Sequence, residues 1–222
     1  MDKATQKVVS EAVGTFALTF IGGSAIINGQ GGLIGVALAH GLALAVMISC
    51  LGHISGGHFN PAVTTGFLVT RRMSAAEGAL YVGAQLVGAA LAALLLRAFV
   101  PGAMDAQLGG QALAAGVGFG AGVCIEVILT FLLVFTVFAT AVDERGAFKT
   151  IAGFGIGLVV AFDILAAGPL TGASMNPARS FGPALVSGAW SGHLVYWIGP
   201  LIGGVLAALL YDNLLMEKKR GA

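Results

Sequence analysis

The chain has 222 residues, 57% hydrophobic and 9% charged, with a formal net charge of +1. A soluble domain carries about a quarter charged residues, so this chain has too little polar surface to cover a water-exposed fold. Its near-neutral charge also argues against a nucleic-acid partner, which needs a basic face. The composition is that of an integral, multi-pass, all-α membrane protein.

Six apolar stretches are long enough to cross a hydrocarbon core of about 30 Å: residues 8–27, 32–51, 77–96, 117–142, 151–167 and 193–211. The first follows Lys3 and Lys7, as the apolar core of a signal peptide would. Its apolar part is too long for that, and it has a counterpart later in the chain, so it is kept as a span. The fifth is the shortest, with room to extend upstream. Cys50 and Cys124 lie in apolar runs and read as small buried hydrophobes, with a pore-facing thiol as the lesser alternative and no disulfide or metal site indicated.

After the second and fifth spans come two copies of one motif, GGHFNPAVTTG at residues 56–66 and GASMNPARSFG at 172–182. Asparagine is a favoured helix N-cap, and proline suits the first helical position because its missing N–H would have no partner there. Each apolar run then stops after about ten residues, or about 15 Å of helix. That is half a bilayer, so both motifs read as re-entrant half-helices.

The halves repeat. SEAVGTFALTF around Glu11 resembles CIEVILTFLLVF around Glu126, 115 residues on, and Asn60-Pro61-Ala62 resembles Asn176-Pro177-Ala178, 116 residues on. The chain therefore reads as one domain, residues 1–222, with repeats at approximately 8–100 and 117–215. Three spans per half is an odd number, so the second half inserts upside down. An inverted repeat with a broken helix in each half is the architecture of a site at the bilayer midplane. Nine of the eleven Lys and Arg (Lys3, Lys7, Arg71, Arg72, Arg145, Lys149, Lys218, Lys219 and Arg220) fall on the side that holds both termini. By the positive-inside rule that side is cytoplasmic.

Non-helical backbone at membrane depth survives only inside protein or along a water-filled cavity. The stretches before the two motifs, with Gly56, Gly57 and His58 in one and Gly172, Ala173 and Ser174 in the other, are such backbone and would offer a row of carbonyl acceptors. Asn60 and Asn176 would add side-chain donors at the centre, backed by two helix N-termini of about half a positive charge each. A water would turn its oxygen to the donors and its hydrogens to the carbonyls, while the positive focus repels hydronium and metal cations. The residue types thus point to a passive conduit for small neutral molecules.

The paired Asn-Pro-Ala boxes, the glutamates of spans one and four, and HISGGHFNPAVTTG resemble the aquaporin (major intrinsic protein) family over nearly the whole chain. ILAAGPLTGASMNPARSFGPALVSG, followed by SGHLVYWIGPLIGG, looks particularly like plant tonoplast intrinsic proteins. The resemblance implies six membrane helices, two half-helices and a homotetramer with one pore per monomer, without cofactor or metal. It also implies a selectivity filter at His40, Ile164, Ala173 and Arg179, a pattern seen among tonoplast-type members. Isoleucine in place of the usual span-five histidine removes a polar wall and widens the constriction for ammonia, with urea and hydrogen peroxide as further candidates. Ser180, Ala184, Tyr196 and Trp197 stand on the water-channel side of the family, away from glycerol. The place where some ammonia-conducting members have a loop histidine holds Gln111, a possible additional filter residue.

Asp163, an acid inside span five beside Ile164 where relatives can have asparagine, is a second departure, a functional candidate by default and, with Gln111, an additional filter candidate. Pairing with His40 or Arg179 and a buried protonated state are both open. For Glu11 and Glu126 the resemblance favours bracing the motif loops over relaying protons. His58 reads as a pore-facing carbonyl with a packing or hydrogen-bonding ring, His53 as lying near the cytoplasmic mouth, and His193 as interfacial. Small residues at 83 and 87 and at 199 and 203 signal close helix packing, and Trp190, Tyr196 and Trp197 fit anchoring or packing. A secondary transporter is the alternative to a channel, favoured only by Asp163, and a junction-forming protein is a third reading. No phosphate loop, nucleophile elbow or metal cluster suggests an enzyme. The short tails point to a prokaryotic plasma membrane, with a plant vacuolar membrane as the alternative.

Overall fold

In the computed structural model residues 1–145 and 151–217 are described. Lys149, Lys218, Lys219 and Arg220, which entered the charge count, lie outside them. Among the described residues eight α-helices run in chain order: α1 (Lys3–Asn28), α2 (Gly32–Ser55), α3 (Pro61–Val69), α4 (Ala75–Phe99), α5 (Phe119–Val137), α6 (Ala152–Thr171), α7 (Pro177–Ser187) and α8 (Val195–Leu210). π-helical turns extend α5 over Phe138–Val142 and α8 over Tyr211–Leu215. With those turns, six helices among the described residues are long and apolar enough to cross a membrane. The fifth continues past its expected end to Thr171, through Pro169. Its last turn is held from outside, where Ala114 N donates to the Leu170 carbonyl over 2.9 Å, and Gly172 caps it in the left-handed conformation.

The two short helices are α3 and α7. Each starts as the motif dictates, with an extended Asn at the N-cap and Pro in the first turn. Asn60 Oδ1 accepts from Ala62 N, and Asn176 Oδ1 accepts from Ala178 N and Arg179 N. At 1.5 Å per residue they are about 14 and 17 Å long, too short to span.

Packing follows the repeat. Helix α1 lies against α4 as α5 lies against α8, while α2 and α6 pair across the middle. Each half-helix packs on the last long helix of the opposite half, α3 on α8 and α7 on α4. The central crossing needs glycine. A Cβ at Gly41 would lie 2.5 Å from the Gly157 carbonyl oxygen, and one at Gly157 would lie 2.2 Å from that of Gly41. Gly199 and Gly203 are close-packing positions as expected, with a Cβ at Gly203 falling 2.3 Å from the Val127 carbonyl oxygen. Gly83 is not, having open space where its Cβ would be.

Cys50 and Cys124 are a second correction, since both thiols are free and exposed on the outer surface. An apolar run in a membrane helix is apolar on its lipid side too, so hydropathy alone does not place a residue in the core. Large apolar side chains such as Leu38, Leu42, Val87, Leu91, Ile128 and Leu206 cover that same outer surface.

Candidate functional site

The two motif loops meet through a reciprocal pair of hydrogen bonds. Asn60 Nδ2 donates to the Met175 carbonyl over 2.8 Å, and Asn176 Nδ2 donates to the Phe59 carbonyl over 2.8 Å. Both acceptor residues hold left-handed backbone, Phe59 at φ 48° and Met175 at φ 54°. A non-glycine residue there costs of order 1–3 kcal/mol and persists only when its surroundings over-determine it. Those surroundings are the two buried glutamates.

Glu11 accepts from His58 N at 3.0 Å and Phe59 N at 2.7 Å, and from Ser55 Oγ and Gln85 Nε2 at 2.7 and 2.8 Å. Glu126 repeats the arrangement with Ser174 N at 2.9 Å, Met175 N at 2.8 Å and Thr171 Oγ1 at 2.7 Å. The matching tyrosines close the brace, Tyr81 O–H donating to the Ser55 carbonyl over 2.7 Å and Tyr196 O–H to the Thr171 carbonyl over 2.8 Å. With their backbone N–H groups tied to a carboxylate behind, the loops leave carbonyls to face the other way.

In front of the loops runs a cavity of 570 Å³. Gly56, Gly57, His58, Asn60, Ala173, Ser174 and Asn176 line it, together with all of His40, Ile164, Ala173 and Arg179. Pro61, Ala62, Pro177 and Ala178 are buried in the half-helix starts and do not line it, nor does Gly172. Leu18, Leu44, Val63, Leu133, Val137, Ile156 and Val160 give the cavity an apolar wall opposite its few polar groups. At the far end it reaches His53, Ala141 and Val142. Arg179 is 3% exposed and fixed on two sides, Nη1 donating to the Gly109 carbonyl over 2.8 Å and Nη2 meeting His40 Nε2 at 2.9 Å.

Gln111 and Asp163 stand outside the lining. Gln111 Oε1 accepts from Ser180 Oγ over 2.8 Å, and its side chain fills the space where a Gly172 Cβ would be, 2.9 Å from Gln111 Cγ. Asp163 pairs with neither His40 nor Arg179, which pair with each other; its Oδ2 is buried without a hydrogen-bond partner among the described residues. Among the described residues no group of His, Cys, Asp and Glu is placed to hold a metal ion. His193 accepts from Trp197 Nε1 over 3.1 Å, and Tyr196 is buried, so its place is in packing.

Residues 1–211 match the family model described as Major intrinsic protein. The chain belongs to that family. It is 52% identical to aquaporin TIP4-4 of Zea mays over 95% of this chain and 87% of that one. To aquaporin TIP2-1 of Arabidopsis thaliana it is 47% identical, over 94% of this chain and 86% of that one. Its fold matches the X-ray structure of the aquaglyceroporin from Plasmodium falciparum with a TM-score of 0.86, at 23% identity, over 96% and 97% of the two chains. The chain is thus an aquaporin-fold channel protein of the plant tonoplast type and not an enzyme.

Several residues that build this aquaporin's site carry no local signal. Gln85 reaches both Glu11 and Thr64 from α4, and Gly109 supplies the carbonyl that holds Arg179. Ser55, Thr171, Tyr81 and Tyr196 were findable, because Tyr81 and Tyr196 stand 115 residues apart and Ser55 and Thr171 116 apart, the repeat offset itself.

Proposed function

We propose that the chain is one channel domain of two inverted repeats that passes water and small neutral solutes, ammonia first among them, down their gradients and excludes protons and ions. The reciprocal Asn60 and Asn176 bonds carry the reading. Each amide has one N–H held by the opposite loop and a second left for the cavity, so the donors sit where two half-helix N-termini concentrate positive potential. A water there takes its orientation from the asparagines and gives its hydrogens to carbonyls on either side, which interrupts any proton wire.

His40, Ile164, Ala173 and Arg179 form the filter in this reading. One wall is charged and donor-rich, and the other is apolar and set by Ile164. That mixture suits ammonia, with urea and hydrogen peroxide as wider candidates, and disfavours the longer, hydroxyl-rich glycerol. Gln111 acts behind the filter, by supporting Ser180 and Gly172. The secondary-transporter alternative would need a charged coupling site on the pathway, and the carboxyl that suggested it, Asp163, does not line the cavity.

The relatives named TIP favour a vacuolar membrane over the prokaryotic plasma membrane expected from the short tails, with the termini on the cytoplasmic side. The exposed apolar faces suit lipid and a homotetramer. Parallel fluxes of water, ammonia, urea and glycerol in one proteoliposome preparation test the assignment. Ammonia passing faster than glycerol supports it, and glycerol passing as fast as ammonia contradicts the filter.

A further inference from the structure

Three consecutive residues, Gln107, Leu108 and Gly109, hold left-handed backbone, at φ 48°, 56° and 68°. Only glycine adopts that region freely. Such a turn persists where its surroundings over-determine it. At Phe59 and Met175 the over-determining group is polar, a glutamate behind each loop. Among the described residues no carboxylate bonds the N–H groups of residues 107–109. Gln107 N donates to the Met104 carbonyl over 3.0 Å, Leu108 N to that of Ala103 over 2.7 Å and Gly109 N to that of Ala106 over 2.9 Å. Bonds within one loop shape it but do not fix it to the rest of the molecule.

What fixes this loop is apolar. Leu108 is fully buried in a cluster with Ala93 and Leu96 of α4 and with Ala103, against which Phe20 of α1 and Val186 of α7 also pack. The cluster is distinct from the core that surrounds the cavity. Beside it the backbone lies directly on α1. A Cβ at Gly109 would be 2.6 Å from Gly23 Cα, and a Cβ at Gly23 would be 3.1 Å from the Leu108 carbonyl oxygen.

The seated turn delivers one group to the site, the Gly109 carbonyl that accepts from Arg179 Nη1 over 2.8 Å. Relaxing Leu108 to right-handed or extended backbone would redirect the chain through Gly109 and take that carbonyl off the guanidinium. The turn lies in the connection between the two repeats, so the second half has no copy of it to share the task.

We propose that Leu108 is a positioning residue for Arg179, its burial holding the left-handed turn at 107–109 and the turn holding the guanidinium through the Gly109 carbonyl. The proposal rests on Arg179 belonging to the filter. Arg179 then has two separate holds, the His40 ring and this turn, and the opening left for solutes larger than water depends on both.

The test is the ratio of urea to water flux in proteoliposomes, each corrected for empty liposomes. A mere loss of folded channels lowers both fluxes together and leaves the ratio alone. Leu108→Ala is expected to raise the ratio about threefold, whereas Leu108→Met, which keeps a side chain of similar volume, leaves it near the unsubstituted value. Leu108→Val fills most of the pocket but disfavours left-handed backbone, so it also raises the ratio and decides where Leu108→Ala does not fold. Joined to His40→Ala, either variant removes both holds, and the ratio should exceed the product of the single changes by about threefold. An unchanged ratio in the folded Ala or Val variant, an equal rise in Leu108→Met, or a double variant that only multiplies the single changes overturns the proposal. Failure of the filter reading looks different, as a ratio that His40→Ala and the Leu108 variants alike leave unmoved. Failure of the channel reading shows earlier, as no water flux from the unsubstituted chain.

Discussion

Arg179 Nη2 donates to His40 Nε2 over 2.9 Å, joining α7 to α2 at one end of the cavity. His40 Nδ1 stands 2.8 Å from the Val36 carbonyl, which can only accept, so the ring hydrogen is on Nδ1 and the Nε2 lone pair faces the guanidinium. A neutral imidazole thus pins a cation against the wall. His40→Ala removes the pin and empties part of the constriction. Urea flux is expected to rise about tenfold, the effect of lowering a barrier by about 1.4 kcal/mol, with water flux kept. Urea flux unchanged in proteoliposomes would mean that Arg179 is held by Gly109 alone.

Ile164 lines the same cavity from α6 and is 4% exposed. Ile164→His replaces the apolar wall by a polar ring opposite His40 and narrows the passage. Ammonia and urea fluxes are expected to fall severalfold while water flux is spared. Unaltered solute ratios in the variant would place the constriction elsewhere.

Glu126 satisfies three buried donors, those of Thr171, Ser174 and Met175. Each donor left unpaired costs about 1–3 kcal/mol, a large share of a total stability of about 5–15 kcal/mol. Glu126→Ala should therefore lower the thermal midpoint in detergent by many degrees and abolish water flux. Glu126→Gln, which keeps one acceptor oxygen, should fall between. The brace account fails if the alanine variant melts with the unsubstituted chain.

At the end of the cavity lined by Val142, Asp143 accepts from Arg145 Nη2 over 2.6 Å and from Tyr211 O–H over 3.2 Å, and Arg145 also donates to the Leu215 carbonyl. The Arg145 side chain, foremost, and its backbone N–H hold the Asp143 carboxyl well below its ordinary value of 3.8. A carboxyl whose pKa is depressed by folding stabilises the fold above its unfolded value and loses that contribution as the pH falls through the folded one. The gap in thermal stability between the unsubstituted chain and Asp143→Asn should thus be constant from pH 7 to about 5 and shrink below about 4. A gap that widens on acidification would have the wrong sign.

The spans and half-helices were legible because their signals are local. Apolar run length sets a span, and Asn followed by Pro sets a helix start. The repeat offset then told which residues are equivalent, and so which glutamate belongs to which loop. What escaped was the wiring of the loops, because partners such as Gln85 with Glu11 or Arg179 with Gly109 lie 74 and 70 residues apart in the chain. Burial of Cys50, Cys124 and Gly83 was misread for a different reason. Lipid tails are as apolar as leucine, so hydropathy does not separate the lipid face of a helix from its packed face. For Asp163, adjacency in sequence to Ile164 suggested a place on the pathway, but successive helical residues point about 100° apart, and only Ile164 lines the cavity.

The central claim is passive water conduction, and osmotic shrinkage of proteoliposomes tests it most directly. In ion-free buffer the account predicts shrinkage much faster than that of empty liposomes, with a low activation energy and no requirement for an ion gradient. Shrinkage no faster than that of empty liposomes, or acceleration only in the presence of a coupling ion, would contradict it.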